Sequence, residues 1–484
     1  MSRSANLSMS RGAALSLARL VSGIVRVKIV ALALGVGGVG IFALALQVNV
    51  TAVSLVSMSL AVPIINLGRP RVVAGDFGRT GEIAGTALAI LAINVGVLLL
   101  ASALLGGPLI LWIGQGQLDP TLLWPLVAAV ILGALASSFW EGITYLSDRF
   151  DVYAKAGIAS AIADMLFVAV GAWTHGLRGA IIALPAGPLV LLSSYALLLR
   201  RDRLARPVLT RLAISADQFP PLLTYSAMMF GAVALTNLGL TTARAAVLFY
   251  GGPSANGGLQ TATSLSAYIL AFVTTGFWGH LHARAAASGD TEEVRNELHH
   301  ALDRGLLMAF TGCGLAMVLA DYLLPLFFSR QFSSAAPLLI AYMPGEFCFQ
   351  FLTLLISYQL TVSLRRRYLG WSITYIALLV AIALLAVPRF GAPGFVAGHV
   401  AGSALTLGLA VSLCWKKGQL NMPLILRGLI YLSILVGTAA FMLTLRDKVG
   451  AWSLLALIPF VASGALVSWQ LALGLGIIRH GRTA

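Results

Sequence analysis

Stretches of about 20 mostly apolar residues, the length that crosses the hydrocarbon core of a bilayer, recur through all 484 residues of this chain. Fourteen such spans are predicted, at 12–34, 41–67, 83–105, 121–146, 154–174, 178–199, 218–246, 259–281, 304–327, 335–361, 368–387, 393–414, 424–444 and 451–477. Only 10% of the residues are charged, against about 25% in a soluble domain. A water-facing surface cannot be built from that supply. In lipid every backbone polar group must be paired internally, and a chain of this span length does so as helices. The expected class is therefore an all-α polytopic membrane protein with about fourteen transmembrane helices.

Charge gives the direction of the spans. With the N-terminus inside and successive spans alternating, 23 of the 32 lysines and arginines fall in inner segments and 5 in outer ones. Basic residues collect on the cytoplasmic side, so both termini are expected in the cytoplasm. The net charge of +15 is read through the same rule and through anionic lipid, not as a nucleic-acid footprint; membrane lipids are expected partners and nucleic acid is not. The first apolar run carries Arg19, Arg26 and Lys28, unlike the clean core of a cleaved signal, and is read as a retained helix.

The outer connections are too short to form a domain. The longest inner ones are 200–217, RRDRLARPVLTRLAISAD, and 282–303, read as a short polar helix. Two segments repeat a pattern: Lys28 stands seven residues before Gly35, and Arg244 seven before Gly251, each ahead of a Gly-rich turn. Parallel repeats of this kind occur in transporters.

Four basic residues remain inside spans: Arg19, Arg26, Lys28 and Arg244. A buried ionisable group costs at least about 2.5–3.5 kcal/mol unless it snorkels, pairs or faces a cavity. Arg19 lies roughly 10 Å from the inner end of its span and can snorkel. Arg26 and Lys28 lie roughly 21 and 24 Å along, and Lys28 points away from the face that Arg19 and Arg26 share. Arg26, Lys28 and Arg244, with Asn237 seven residues before Arg244, either snorkel outward or line a polar cavity. Glu346, mid-span in GEFCFQ, is the acid hardest to explain structurally. It would be protonated or paired with a cation. Asp164 poses the same question in the fifth span. Glu141 and Asp321 are read as interfacial and His399 as a satisfied core histidine. The second span carries a polar stripe that includes Gln47, Asn49, Thr51, Ser54 and Ser57, fit either to bond helices together or to meet sugar hydroxyls. Cys313, Cys348 and Cys414 form no metal or disulfide pattern. No P-loop, HExxH or GxSxG motif is present, so neither an enzyme nor a cofactor or metal site is expected.

Four stretches, KIVALALGVGGVGIFALALQ (28–47), RAAVLFYGG (244–252), SAYILAFVTTGFWGHLHARAAA (266–287) and LLPLFFSRQFSSAAPLLIAYMPGEFCFQ (323–350), are similar to the Wzx-type flippases. These form part of the polysaccharide-transport branch of the multidrug/oligosaccharidyl-lipid/polysaccharide exporter superfamily, and include the flippases of enterobacterial common antigen. The resemblance implies two six-helix lobes in pseudo-twofold arrangement, residues 1–199 and 218–414, joined by the basic cytoplasmic linker 200–217. Two extra helices follow in 415–484. It implies a lipid-linked glycan as substrate, flipped by alternating access, with polysaccharide polymerase and chain-length proteins as partners. By that resemblance Lys28, Arg244 and Glu346 fall where the family places charged helix residues; with them, Arg26, Asn237, Gln47 and Asn49 are expected to line the substrate cavity, and Glu346 and Asp164 to couple an ion. One member of the family has aspartate where this chain has Glu346, and its segment after the second span is unlike RPRVVAGDFGR. A small-molecule antiporter on the same fold is the main competing expectation. A membrane glycosyltransferase or polymerase would need charge in a sizeable outer loop, and loop 35–40 has none.

Overall fold

The computed structural model describes residues 3–113, 115–116, 118–288, 292–361, 365–416, 419–449, 458–463 and 465. Its helices are α1 (Arg3–Ser57), α2 (Ala61–Val73), α3 (Phe77–Ile113), α4 (Leu123–Ala134), α5 (Glu141–Leu146), α6 (Phe150–Ile182), α7 (Ala186–Leu199), α8 (Ala205–Leu209), α9 (Phe219–Ser288), α10 (Glu292–Val318), α11 (Ala320–Phe327), α12 (Ala336–Thr361), α13 (Arg365–Phe390), α14 (Ala392–Lys416) and α15 (Met422–Val449). Among the described residues there is no strand. The chain divides into two compact units, Met1–Gly257 and Gly258–Ala484.

The protein is a multi-pass membrane protein. Among the described residues nine helices are long and apolar enough to cross a membrane, or ten if α10 and α11, bent by 85°, count as one span. The expected fourteen are not reached, for two reasons. Adjacent spans run on as one helix: α1 covers the first and most of the second, α9 the seventh and eighth, and α6 enters the sixth. The fourteenth, 451–477, lies almost wholly outside the described residues. The breaks within α1 and α9 fall at Gly35 (φ 63°) and Gly252 (φ 77°), left-handed positions that cost glycine little. The second break is at Gly252, one residue beyond the Gly251 expected from the repeat. The segment 282–303 is not a separate helix either. Residues 282–288 end α9 and 292–303 open α10.

In the first unit the two glycine breaks lie against each other. A Cβ on Gly40 would stand 1.9 Å from the Pro253 carbonyl oxygen, and one on Gly257 would stand 2.0 Å from that of Val36. The Asn256 amide donates to the Gly40 carbonyl at 2.7 Å. Backbone thus meets backbone, as small residues permit in membranes.

The expected second span, 41–67, is not one helix. It breaks between α1 and α2 at Met58 (φ 47°) and Ser59 (φ 53°), a left-handed conformation strained for residues with a Cβ. Asn94 of α3 donates to the Val56 carbonyl at 3.0 Å, satisfying a group beside the break. A π-helical turn, Leu135–Trp140, lies between α4 and α5 and sends Phe139 into the core that holds Val56, Leu60 and Ile64.

The basic segment 200–217 is docked on the first unit. Gly81 and Gly85 of α3 have no room for a Cβ, which would sit 2.2 Å from the Arg211 carbonyl oxygen and 2.4 Å from that of Ala213. Ser215 N–H donates to Thr86 Oγ1 at 3.0 Å. At the other end Arg149 pairs with both Asp151 and Asp202, and Asp202 caps α8 by accepting from the Leu204 and Ala205 amides at 2.9 Å. Burial pushes the Asp202 carboxyl up, but the Ala205 amide, the Arg149 guanidinium and the Leu204 amide outweigh it and hold the group below the usual carboxylate range. A depressed carboxylate contributes its stabilisation above the unfolded value, near 3.9, and loses it as pH falls through the folded one. Asp202→Asn is therefore expected to speed tryptic cleavage within 200–206 at neutral pH. In wild type the same loosening should appear only below about pH 4, where hydrogen exchange over 200–206 reads it. Equal cleavage rates in the two proteins at neutral pH would refute the latch.

In the second unit α13 and α14 are joined by a stripe of small residues. A Cβ on Gly394, Gly398 or Gly402 would stand 2.5–3.1 Å from α13 backbone. Gly345 of α12 approaches α14 in the same way, a Cβ there lying 2.8 Å from the Val400 Cα. The LFFSRQF run turns the chain between α11 and α12, with Phe328 and Phe332 fully buried and their ring centroids 5.5 Å apart.

Candidate functional site

Polar chemistry is concentrated in two places, one in each unit. In the first unit a cavity of about 270 Å³ opens beside α1, lined among others by Arg19, Arg26, Ser160 and Asp164. Arg19 and Arg26 lie two turns apart, so one face of α1 carries both. Glycines make the room: Gly23, Gly133, Gly157 and Gly187 all border the cavity. A Cβ on Gly157 would stand 3.3 Å from the Arg19 guanidinium, and one on Gly187 would stand 2.9 Å from the Asp164 Cβ.

Arg26 and Asp164 form an ion pair. Each side chain is about a quarter exposed (24% and 26%), so the pair borders the cavity rather than lying sealed. Arg19 forms no ion pair among the described residues, but Glu141 lies within electrostatic reach of it. Its guanidinium rests 5.8 Å from the centroid of the Tyr153 ring, within cation–π range. The far wall is a helix interruption: α6 ends at Ile182, α7 begins at Ala186 after Pro185, and the first turn of α7 supplies Gly187 and Pro188 to the lining. Ser160 donates to the Gly187 carbonyl at 2.9 Å, which ties α6 to that turn. Interrupted helices beside polar cavities are a recurrent transporter device.

Of the residues expected to line a cavity, Arg26 does so, together with Asp164, which the sequence placed in a different role. Arg19, expected to snorkel, also lines it. Arg244 is buried (7% exposed) on α9 and Lys28 half-buried on α1, and neither lines this cavity. Asn49 donates to the Leu126 carbonyl at 3.3 Å. Thr51 reaches the Gln47 and Asn237 carbonyls at 2.8 and 3.2 Å and the Thr241 hydroxyl at 2.7 Å. The bonds to Leu126, Asn237 and Thr241 join helices, the one to Gln47 lies within α1, and those to Gln47 and Asn237 involve their backbone.

The second place surrounds Glu346, whose partner is a histidine. Glu346 and His399 are 1% and 2% exposed, and His399 Nε2 is 3.6 Å from Glu346 Oε2. Gln350, one turn along α12, donates to Glu346 Oε1 at 3.1 Å. Tyr375 Oη and His399 Nδ1 are hydrogen-bonded at 2.9 Å, and the Tyr342 ring stacks on the imidazole at 4.2 Å. The expectation of a satisfied core histidine holds for one ring nitrogen only, since Nε2 is buried without a hydrogen bond. Tyr375 and Gln350 carried no signal in the sequence beyond being polar residues in apolar spans. Among the described residues no cluster of side chains suits a metal ion.

The arrangement is an apolar helical bundle with ionisable groups held at depth. The chain is similar to the lipid II flippase MurJ in an inward closed conformation, over 95% of this chain and 99% of that one, with a TM-score of 0.72 and 12% identity. It is similar to a MATE family multidrug transporter of the MOP superfamily in an inward-facing conformation (TM-score 0.64, 14% identity, 88% and 95% of the two chains). A third is a MOP superfamily transporter from Pyrococcus furiosus, described as having a binding pocket of reverse polarity (0.60, 14%, 90% and 99%). At such identities the likeness is one of fold. No protein-family model matches the sequence, and no curated protein matches it.

Proposed function

We propose that this protein is a Wzx-type flippase. In this reading it carries an undecaprenyl-pyrophosphate-linked oligosaccharide, an O-antigen or exopolysaccharide repeat unit, from the cytoplasmic to the periplasmic leaflet of a bacterial inner membrane by alternating access. The observation that carries the reading is the cavity of the first unit, where two arginines face one aspartate. Two guanidinium groups bordering one cavity suit a pyrophosphate, which arginine binds through its planar fork. At about 270 Å³ the cavity falls below the roughly 300–1,000 Å³ of pockets that enclose a drug-sized ligand. It would take the phosphates and leave the glycan and polyprenyl chain outside.

The fold shared with MATE transporters supports a second reading, a small-molecule antiporter. An organic cation would have to displace Arg26 from Asp164, the one acid at the cavity, so this reading ranks behind the first. Reconstitution in liposomes separates the two. The protein should accelerate transbilayer movement of a fluorescent polyprenyl-pyrophosphate oligosaccharide, and Arg19→Ala should slow it roughly tenfold, about 1.4 kcal/mol of lost anion contact. Efflux of an organic cation with no movement of the lipid would overturn the proposal.

A further inference from the structure

The basic segment of the first unit lies where the chain leaves one apolar helix, α7 at Leu199, and enters the next, α9 at Phe219. Arg200, Arg201, Arg203, Arg206 and Arg211 all stand exposed on it. Arg79 of α3 is exposed as well, two residues before the Gly81 that abuts the Arg211 carbonyl. None of these six arginines forms an ion pair among the described residues.

The carboxylates tied to this region are engaged by other groups. Asp148 pairs with Arg69 at 3.3 Å, and Arg149 holds both Asp151 and Asp202. Asp76 accepts the backbone N–H of Arg79 at 3.1 Å, a bond that leaves the Arg79 guanidinium out. Glu82 and Asp217 remain, two acids against six guanidinium groups. A concentration of one charge sign repels itself and attracts an anionic partner.

The apolar residues among the arginines say which partner. Leu204, Leu212 and Ile214 are exposed on the same segment. A purely aqueous anion gives them nothing to enter. The edge of a bilayer takes both kinds of side chain at once, with guanidinium groups at the level of the lipid phosphates and apolar groups below. The helices on either side carry the segment to that level. The segment is also pinned before any lipid arrives, by the close approaches of Gly81 and Gly85 to its backbone and by the pair of Arg149 with Asp202. Its arginines can therefore engage headgroups with little further loss of chain freedom.

We propose that the exposed face of residues 200–214, together with Arg79, is a docking surface for anionic phospholipid headgroups. Their phosphates offset the guanidinium charge, and Leu204, Leu212 and Ile214 enter the apolar layer beneath. A lipid seated there holds the segment against α3 more firmly than its own contacts do. The proposal does not rest on the transport reading.

Hydrogen exchange over 200–217, with the protein in lipid nanodiscs, tests it. Exchange in wild type should be slower in discs of equal parts phosphatidylcholine and phosphatidylglycerol than in discs of phosphatidylcholine alone. A basic residue near an anionic surface strengthens binding about fivefold. Arg203→Gln and Arg206→Gln should therefore each weaken phosphatidylglycerol binding to the detergent-solubilised protein roughly fivefold, read by native mass spectrometry. The combined variant Arg200→Gln/Arg201→Gln/Arg203→Gln/Arg206→Gln should lose most of the difference between the two kinds of disc. Its melting temperature in phosphatidylcholine should match that of wild type, because Arg149 and Asp202 are untouched. Equal wild-type exchange in the two discs would overturn the proposal, as would a lipid-dependent slowing that survives in the combined variant. Inorganic phosphate that slows exchange in phosphatidylcholine discs as strongly as phosphatidylglycerol does would show an anion held from water, and would overturn the lipid surface too.

Discussion

Arg26→Ala is expected to abolish transport while the protein still inserts and accumulates. The substitution removes one of the two guanidinium groups at the cavity of the first unit and strands Asp164 without its partner. A hydrogen bond to a charged group contributes about 1.5–3 kcal/mol, so a measurable fall in thermal stability should accompany the loss. The double variant Arg26→Ala/Asp164→Ala separates the two effects. Without the stranded carboxylate, stability should return toward wild type, because removing both partners of an ion pair costs less than removing one. Transport should stay absent, because the anion-binding charge is still missing. Thermal denaturation in detergent and lipid translocation in liposomes read the two quantities side by side. A double variant that transports at the wild-type rate would mean that the pair only packs α1 against α6.

The second large effect is expected where α1 meets α9. Gly40→Ala places a methyl group 1.9 Å from the Pro253 carbonyl oxygen, and Gly257→Ala places one 2.0 Å from that of Val36. The opposing atoms are backbone, so no rotamer change relieves either contact. Overpacking of this kind costs about 1–3 kcal/mol and occasionally more. Both variants belong at the upper end, since separating the segments also breaks the bond from Asn256 to the Gly40 carbonyl. Gly37→Ala is the control, because its Cβ would meet Pro253 at an ordinary 3.7 Å. Hydrogen exchange over 36–44 and 249–257 should rise sharply in the first two variants and stay unchanged in the control. Equal melting temperatures for Gly40→Ala and Gly37→Ala would show that the contact is not made.

Hydropathy reads the solvent that a segment prefers, and in lipid that preference hardly changes around a helix or across an uncharged turn. The class of fold was therefore legible from the spans alone, while the joints between spans were not. The turns at Gly35 and Gly252 carry no charge, so apolar character runs straight through α1 and α9. The break at Met58 and Ser59 has no glycine or proline at its strained positions, and local backbone hydrogen bonds and packing against α3 hold it. Arg26 and Asp164 stood out singly because isolated charge in a span is conspicuous. That they pair depends on the packing of α1 on α6, 138 residues apart in sequence. His399 escaped for the same reason. One histidine in an apolar helix says nothing of the carboxylate 53 positions earlier until the small residues of α12 and α14 bring the two helices together.

The docked segment 200–217 and the unit boundary at Gly257 bear on how the chain is made. The sequence repeat restarts after the basic segment, but the first unit continues for another span: Thr241 is bonded to Thr51, and the Leu248 carbonyl to the Gln115 side chain. As the nascent chain leaves the ribosome, the first six spans can enter the membrane but cannot complete their own packing. They must wait for the seventh, whose far end then threads directly into the second unit through the turn at Gly252. Closing the first unit thus waits for translation of the residues up to Gly257.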